Sequence, residues 1–248
     1  MIQSAKGNKS TGVIIRSEKV SENEYHNVAI STNHGITTKE LAVYVPNYVN
    51  WSEIGKIKMY PGIAYYQHPY IDLGVIFFIT EKKMPEAELG FDEKIYIGSK
   101  ITRVGCGLGA SPRLEKGTIT GLNEVLNNKE AKRTYRMGIY TLPGDSGGPV
   151  YHNYRIVGWT QSIRQTQNRN LPIGDIHYSF ANAIRLKDLC SIARKENLKF
   201  LIDKKEPLPK FGFFKLKIDF LDQDSKIIPD NPWIGGNYET NLREKNAK

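Results

Sequence analysis

The chain has 248 residues, 40% of them hydrophobic, enough for one large domain or for two small barrels that share an interface. No apolar run is long enough to cross a membrane, and the first ten residues are polar, without the apolar core of a signal peptide; no membrane span is expected, and either the protein stays where it is made or a leader lies outside this sequence. The net charge of +9 permits attraction to acidic partners, but lysines such as Lys199, Lys204, Lys205 and Lys210 accompany no nucleic-acid motif, so a solvated basic face is expected rather than a nucleic-acid partner.

Residues 1–10 read as a loose arm. Residues 11–16 and 26–32 are short β-rich runs, separated by a polar turn at 21–24, and the second ends at Asn33-His34-Gly35. Further strands are expected at 41–45 and 62–66, separated by Pro46 and Pro61. Asp72 stands directly before the continuous apolar run 73–79; a carboxylate there is expected to be partly buried and to need a partner. Residues 81–96 are charged and irregular and read as a linker between two halves. The polar excursion at 123–132 reads as a hairpin tip, and 134–140 leads into the loop that follows. Residues 149–152 and 155–163 form a hairpin around Asn153-Tyr154, 165–170 is a polar loop, and 176–181 is the last strand. From 182 to 197 the period changes: Ile184, Leu186, Leu189, Cys190, Ala193 and Leu198 recur at three- and four-residue intervals, the pattern of an amphipathic helix. Beyond it, 211–220 alternates like a strand, Trp233-Ile234-Gly235-Gly236-Asn237 reads as a turn, and 241–248 as disordered. The sequence has no internal repeat and no cofactor motif or metal-ligand cluster, so neither cofactor nor metal is expected.

The most informative stretch is Leu142-Pro143-Gly144-Asp145-Ser146-Gly147-Gly148-Pro149-Val150. A serine in a tight glycine-flanked turn can be held exposed while backbone N–H groups aim at one point, which is the requirement of acyl transfer: a nucleophile and donors for the oxyanion. Gly-Asp-Ser-Gly-Gly-Pro resembles the nucleophile motif of the chymotrypsin-like (trypsin-like) serine peptidases. The resemblance extends over residues 11 to about 198 and implies an all-β fold of two antiparallel β-barrels with a C-terminal α-helix. In that family a strand runs into a short helical turn that carries the general base, as Ser31-Thr32-Asn33-His34 does here, and an aspartate opens a later strand, as in Asp72-Leu73-Gly74-Val75. The resemblance thus implies a triad of His34, Asp72 and Ser146, in the chain order of chymotrypsin rather than of subtilisin or the α/β-hydrolases, with the Gly144 and Ser146 N–H groups as oxyanion hole. Residues 97–107 are similar to the opening strand of the second barrel in bacterial HtrA-type peptidases, and 117–122 to the strand that follows it, although neither a carboxylate-binding loop nor room for a full PDZ domain is present. The expected domains are 1–95, carrying His34 and Asp72; 96–202, carrying Ser146 and the helix; and a basic extension, 203–248.

By the same resemblance the primary pocket is floored by Tyr140 and walled by Thr141, Thr160, Gln161, Ser162, Ile163 and Tyr178. None is acidic, so cleavage after small or medium uncharged residues is expected and cleavage after Arg or Lys is not. A Gln or Glu preference is the alternative, since Thr141 matches a threonine of glutamate-specific relatives while their pocket histidine appears as Thr160; Tyr140 could also point away and leave the pocket deep. No Ile-Val-Gly-Gly start exists to pair with Asp145, so either Asp145 has another partner or the enzyme works without zymogen cleavage. The two cysteines, Cys106 and Cys190, read as ordinary small buried residues; set against the disulfide-rich secreted trypsins, they favour a cytoplasmic location. The function implied is a serine endopeptidase acting on protein or peptide substrates. The alternatives are a binding or regulatory module that kept the fold, or a protease domain docked in a larger assembly through its tail.

Overall fold

The computed structural model describes residues 1–50, 53–122, 134–165 and 179–209. The expected hairpin tip at 123–132, most of the loop at 165–170, Tyr178, and the whole tail from 210, with its expected strand, turn and disordered end, lie outside the described residues.

The first half is a seven-stranded antiparallel sheet of β1 (Ile2–Ser4), β2 (Lys9–Ser10), β3 (Val13–Ser21), β4 (Glu24–Ser31), β5 (Glu40–Asn50), β6 (Glu53–Gln67) and β7 (Gly74–Thr80), in the order β2-β1-β5-β6-β7-β4-β3. In the second half β8 (Lys100–Gly105), β9 (Arg113–Leu122), β10 (Thr134–Gly138), β11 (Pro149–His152), β12 (Arg155–Gln165) and β13 (Ser179–Arg185) close into a barrel, followed by α1 (Leu186–Lys195). This is the all-β, chymotrypsin-like arrangement that the sequence led us to expect.

β7 explains why a continuous apolar run can be a strand. It lies between β6 and β4, and both of its faces are covered. Ile76 and Phe78 pack with Ile2, Leu41 and Val43, while Val75 and Phe77 pack with Trp159, Ile184 and the helix residues Leu189 and Ile192. The second cluster joins the two halves. Full burial of a side chain such as Phe77 is worth about 1.5–3 kcal/mol, so this shared core holds the halves in register. Strand pairing places Gly74 opposite Ser31, which brings Asp72 alongside His34.

Two expectations need correction. Residues 1–10 are not a loose arm: Ile2 is 2% exposed, β1 pairs with β5, and the Met1 ammonium donates to the Tyr44 carbonyl at 3.0 Å. One apolar residue is too little signal for a strand, and the pairing partner β5 supplies the rest. The helix begins at Leu186 rather than 182, because 182–185 continue β13 between β10 and β12. Its apolar face is Leu186, Leu189, Ile192 and Ala193, and Asn197, in the left-handed conformation with φ 56°, ends it. The stretch 81–96 is irregular, yet Gly90 N–H donates to Ile156 O and Ile156 N–H to Glu88 O, both at 2.8 Å, which fastens it to β12.

Candidate active site

His34 lies in a single 3₁₀ turn, Asn33–Gly35, directly after β4. Asp72 holds it at two points. The His34 backbone N–H donates to Asp72 Oδ1 at 2.9 Å, and its ring Nδ1 lies 2.6 Å from Oδ2. The Asp72 side chain is 11% exposed and that of His34 54%. The carboxylate therefore favours the neutral tautomer with the proton on Nδ1 and Nε2 unprotonated. The hydrogen bond to Asp72 raises the imidazole pKa above its ordinary value of 6.5, partial burial opposes the rise, and the Asp72 charge adds to it.

The loop before β7 is built to present Asp72. His68 Nδ1 accepts from the Tyr70 and Ile71 N–H groups at 3.1 and 2.8 Å, and the His68 carbonyl accepts from the Asn33 side-chain amide at 3.0 Å. Trp159, fully buried, donates its indole N–H to the Asp72 carbonyl at 3.1 Å. The second half thus grips the backbone of the aspartate that holds the histidine. His68 and Trp159 were not singled out as site residues from the sequence, since neither stands in the motifs that carry the resemblance.

Ser146 sits at the apex of a loop whose glycines take conformations closed to other residues: φ is 95° at Gly144 and 84° at Gly147. A Cβ on Gly147 would collide with the Thr11 carbonyl and the Ser31 hydroxyl. Gly147 N–H donates to Thr160 O at 2.7 Å and Thr160 N–H to Gly148 O at 2.8 Å, so β12 holds the loop. The Ser146 hydroxyl donates to the Gln161 carbonyl at 3.3 Å; among the described residues no hydrogen bond joins it to His34. His34 and Asp72 are brought together, whereas the serine hydroxyl is turned toward β12.

Asp145 has partners other than a chain terminus. It is fully buried, and its Oδ2 accepts from Leu142 N–H at 2.7 Å and from Arg113 Nη2 at 3.2 Å. Arg103, also fully buried, places Nη1 2.8 Å from Oδ1 as an ion pair, off the line of a good hydrogen bond, and donates Nη2 to the Tyr140 carbonyl at 2.9 Å. The sequence did carry a signal for this: in β8 the inward positions are Ile101, Arg103 and Gly105, and a charge in an inward position needs a counter-charge.

Of the residues expected to line the primary pocket, Tyr140 is 58% exposed, with the Arg113 guanidinium 5.8 Å from its ring centre. Thr141 and Thr160 are buried; the Thr141 hydroxyl lies 3.5 Å from Ile139 O. Ser162 and Ile163 pair with Asn182 and Ala181 across β12 and β13. Cys106 is buried and Cys190 half-buried, both as free thiols. Among the described residues no cluster of His, Cys, Asp and Glu could hold a metal ion, and no helix is long and apolar enough to cross a membrane.

Comparison with known proteins adds to this geometry. The chain is 27% identical over 86 residues to a probable periplasmic serine endoprotease, DegP-like, of Pseudomonas putida (strain W619), covering 34% of this chain and 18% of that protein. Its fold is similar to that of the HtrA-type protease AlgW solved with a decapeptide, with a TM-score of 0.53 and 16% identity, over 72% of this chain and 50% of that one. A serine-to-alanine form of AlgW, also with a decapeptide, gives a TM-score of 0.52 and 16% identity over 73% and 51% of the two chains. The chain thus spans about half the length of the solved proteins it resembles. The expected cytoplasmic location is corrected by the DegP-like relative, which is described as a probable periplasmic protein. Few cysteines mean only that the fold is held by its apolar core rather than by disulfides, which is possible in either compartment. The trypsin-like peptidase domain family model matches residues 10–158, a span that holds His34, Asp72 and Ser146, and the chain belongs to that family.

Proposed function

We propose that the protein cleaves peptide bonds through Ser146 as nucleophile, His34 as general base and Asp72 as the group that orients and charges the base. The observation that carries this is the two-point contact between Asp72 and His34 on the strand junctions that precede the glycine-flanked serine. Ser146 Oγ attacks the scissile carbonyl, its proton passes to His34 Nε2, and Asp72 stabilises the imidazolium. The Gly144 and Ser146 N–H groups receive the negative charge on the carbonyl oxygen, an interaction whose single donors are worth roughly 3–4 kcal/mol of barrier. Protonated His34 then gives its proton to the leaving amine, and water hydrolyses the acyl-enzyme by the same route in reverse. For this sequence Ser146 Oγ must leave Gln161 O and turn to His34; substrate in the cleft supplies that reorganisation, since such bonds are often long or absent before substrate binds.

Asp145 is neutralised from within by Arg103 and Arg113, so the loop carrying the serine forms without a cleaved N-terminus. Peptide substrates are in keeping with the decapeptide present with AlgW, a structural neighbour.

The orientation of Ser146 toward Gln161 favours one second reading, a peptide-binding module of the same fold without turnover. Labelling with a fluorophosphonate probe separates the two. The proposed enzyme is modified at Ser146 and the Ser146→Ala variant is not; a folded chain that stays unlabelled leaves the binding module standing.

A further inference from the structure

We infer that Thr11 is a positioning residue for the oxyanion-binding backbone, an inference that rests on reading Ser146 as the nucleophile. Thr11 lies in the short link between β2 and β3, far from the serine in sequence, and is 4% exposed. All of its polar groups are engaged. Its N–H donates to the Ser146 carbonyl at 2.7 Å. Its hydroxyl donates to the Gly144 carbonyl at 2.8 Å and accepts from Cys106 N–H at 2.8 Å. Its carbonyl accepts from the Ser31 hydroxyl at 2.6 Å, and Ser31 ends the strand that leads to His34.

The consequence follows from peptide geometry. In a trans peptide the C=O and the next residue's N–H point in opposite directions, so fixing one fixes the other. Pro143 O accepts from Leu108 N–H at 2.6 Å, which turns Gly144 N–H away from Leu108. Asp145 O accepts from Gly148 N–H at 2.9 Å, which sets Ser146 N–H in the same manner. Thr11 holds the two peptides that alternate with these, through Gly144 O and Ser146 O. Gly144 is the weak point of the series, because a glycine at φ 95° can leave the left-handed region without steric cost. The Thr11 hydroxyl is what ties its carbonyl down. The same residue joins the histidine-bearing half, through Ser31, to the serine-bearing loop. It therefore sets the two catalytic parts relative to each other as well as shaping the donor pair.

The test compares Thr11→Val, which keeps the branched shape and deletes the hydroxyl, with Thr11→Ser, which keeps the hydroxyl, in the full-length chain. The substrate is a fluorogenic peptide cleaved by the parent, and the transition-state probe is a peptide boronic acid. Thr11→Val is expected to lower kcat by about 10–100-fold while KM stays within about threefold of the parent. Boronate affinity should fall by a similar factor, and Thr11→Ser should restore both to within about threefold. A purely structural role would lower the melting temperature without separating kcat from KM. If Thr11→Val does not fold, Thr11→Ala and Thr11→Ser are read against each other by the same assays. A folded hydroxyl-less variant with kcat and boronate affinity within about threefold of the parent overturns the inference. So does a serine variant as impaired as the valine or alanine one. A parent that neither cleaves peptides nor takes the fluorophosphonate label instead overturns the reading of Ser146, and this inference with it.

Discussion

Arg103 and Asp145 face each other at 2.8 Å with neither side chain exposed to solvent. A buried ion pair is costly to assemble and more costly to break, because the partner left behind keeps its charge without water. Gly105 makes the pair possible, since a Cβ there would occupy the space of both charged groups. Arg103→Leu is therefore expected to destabilise the fold by about 3–5 kcal/mol in denaturant unfolding, with Arg113 left as the aspartate's basic partner among the described residues. A loss below about 1 kcal/mol would mean that Arg113 alone neutralises Asp145.

The same pair makes a prediction about activation. Freshly purified chain, shown intact by mass spectrometry, should label with a fluorophosphonate at the full rate. A rate that rises only after N-terminal cleavage would mean that Asp145 exchanges its arginine partners for a new terminus.

Asp72→Asn should leave the fold largely intact, because the amide keeps the size of the carboxylate and still accepts from His34 N–H. It should reduce turnover by on the order of 10⁴, because the ring is then held in the wrong tautomer. A loss below tenfold would shift the role to another carboxylate; Asp92, ion-paired with Arg155, and Glu81, ion-paired with Lys58, are the ones to replace next.

The pH dependence follows from the raised pKa of His34. The working base is the neutral ring, so kcat/KM should rise with pH through a midpoint above 6.5, and Asp72→Asn should move that midpoint down. Stability runs the other way. A raised histidine pKa contributes stability that is complete below the unfolded value and is lost as pH rises through the folded one. Activity should therefore increase over the window in which His34 ceases to stabilise the fold. A flat rate profile from about pH 5 to 8 would exclude His34 as the base.

Substrate selection should follow the uncharged lining. A peptide library is expected to give cleavage after small or medium uncharged residues, because a buried Arg or Lys side chain would meet no carboxylate among Tyr140, Thr141, Thr160 and Gln161. The Tyr140 ring is exposed beside Arg113, so Tyr140→Ala should change this profile little. Dominant cleavage after Arg or Lys would refute the assignment of the lining, and a profile that broadens in Tyr140→Ala would return the ring to the pocket.

Much of this protein was legible in the sequence because the relevant signals are local. The alternation and β-branched runs of strands, the change of period at the helix, and a serine between glycines each lie within a few residues, and the family resemblance then joined His34, Asp72 and Ser146. Other features depend on residues that only folding brings together. Ile2 became a strand because β5 offered an edge; 182–185 stayed in β13 because two strands flank them. Arg103 was a detectable oddity in an inward position, but its counter-charge lies 42 residues away (145 − 103) and no local pattern names it. Trp159 and Thr11 had no signal at all, since hydrogen bonds to backbone groups distant in sequence leave no local pattern. Sequence determines which side chains can do the chemistry, through their intrinsic groups and local conformational preferences. Tertiary structure decides how they are held, because hydrogen bonds and ion pairs act over a few ångströms in space and ignore distance along the chain.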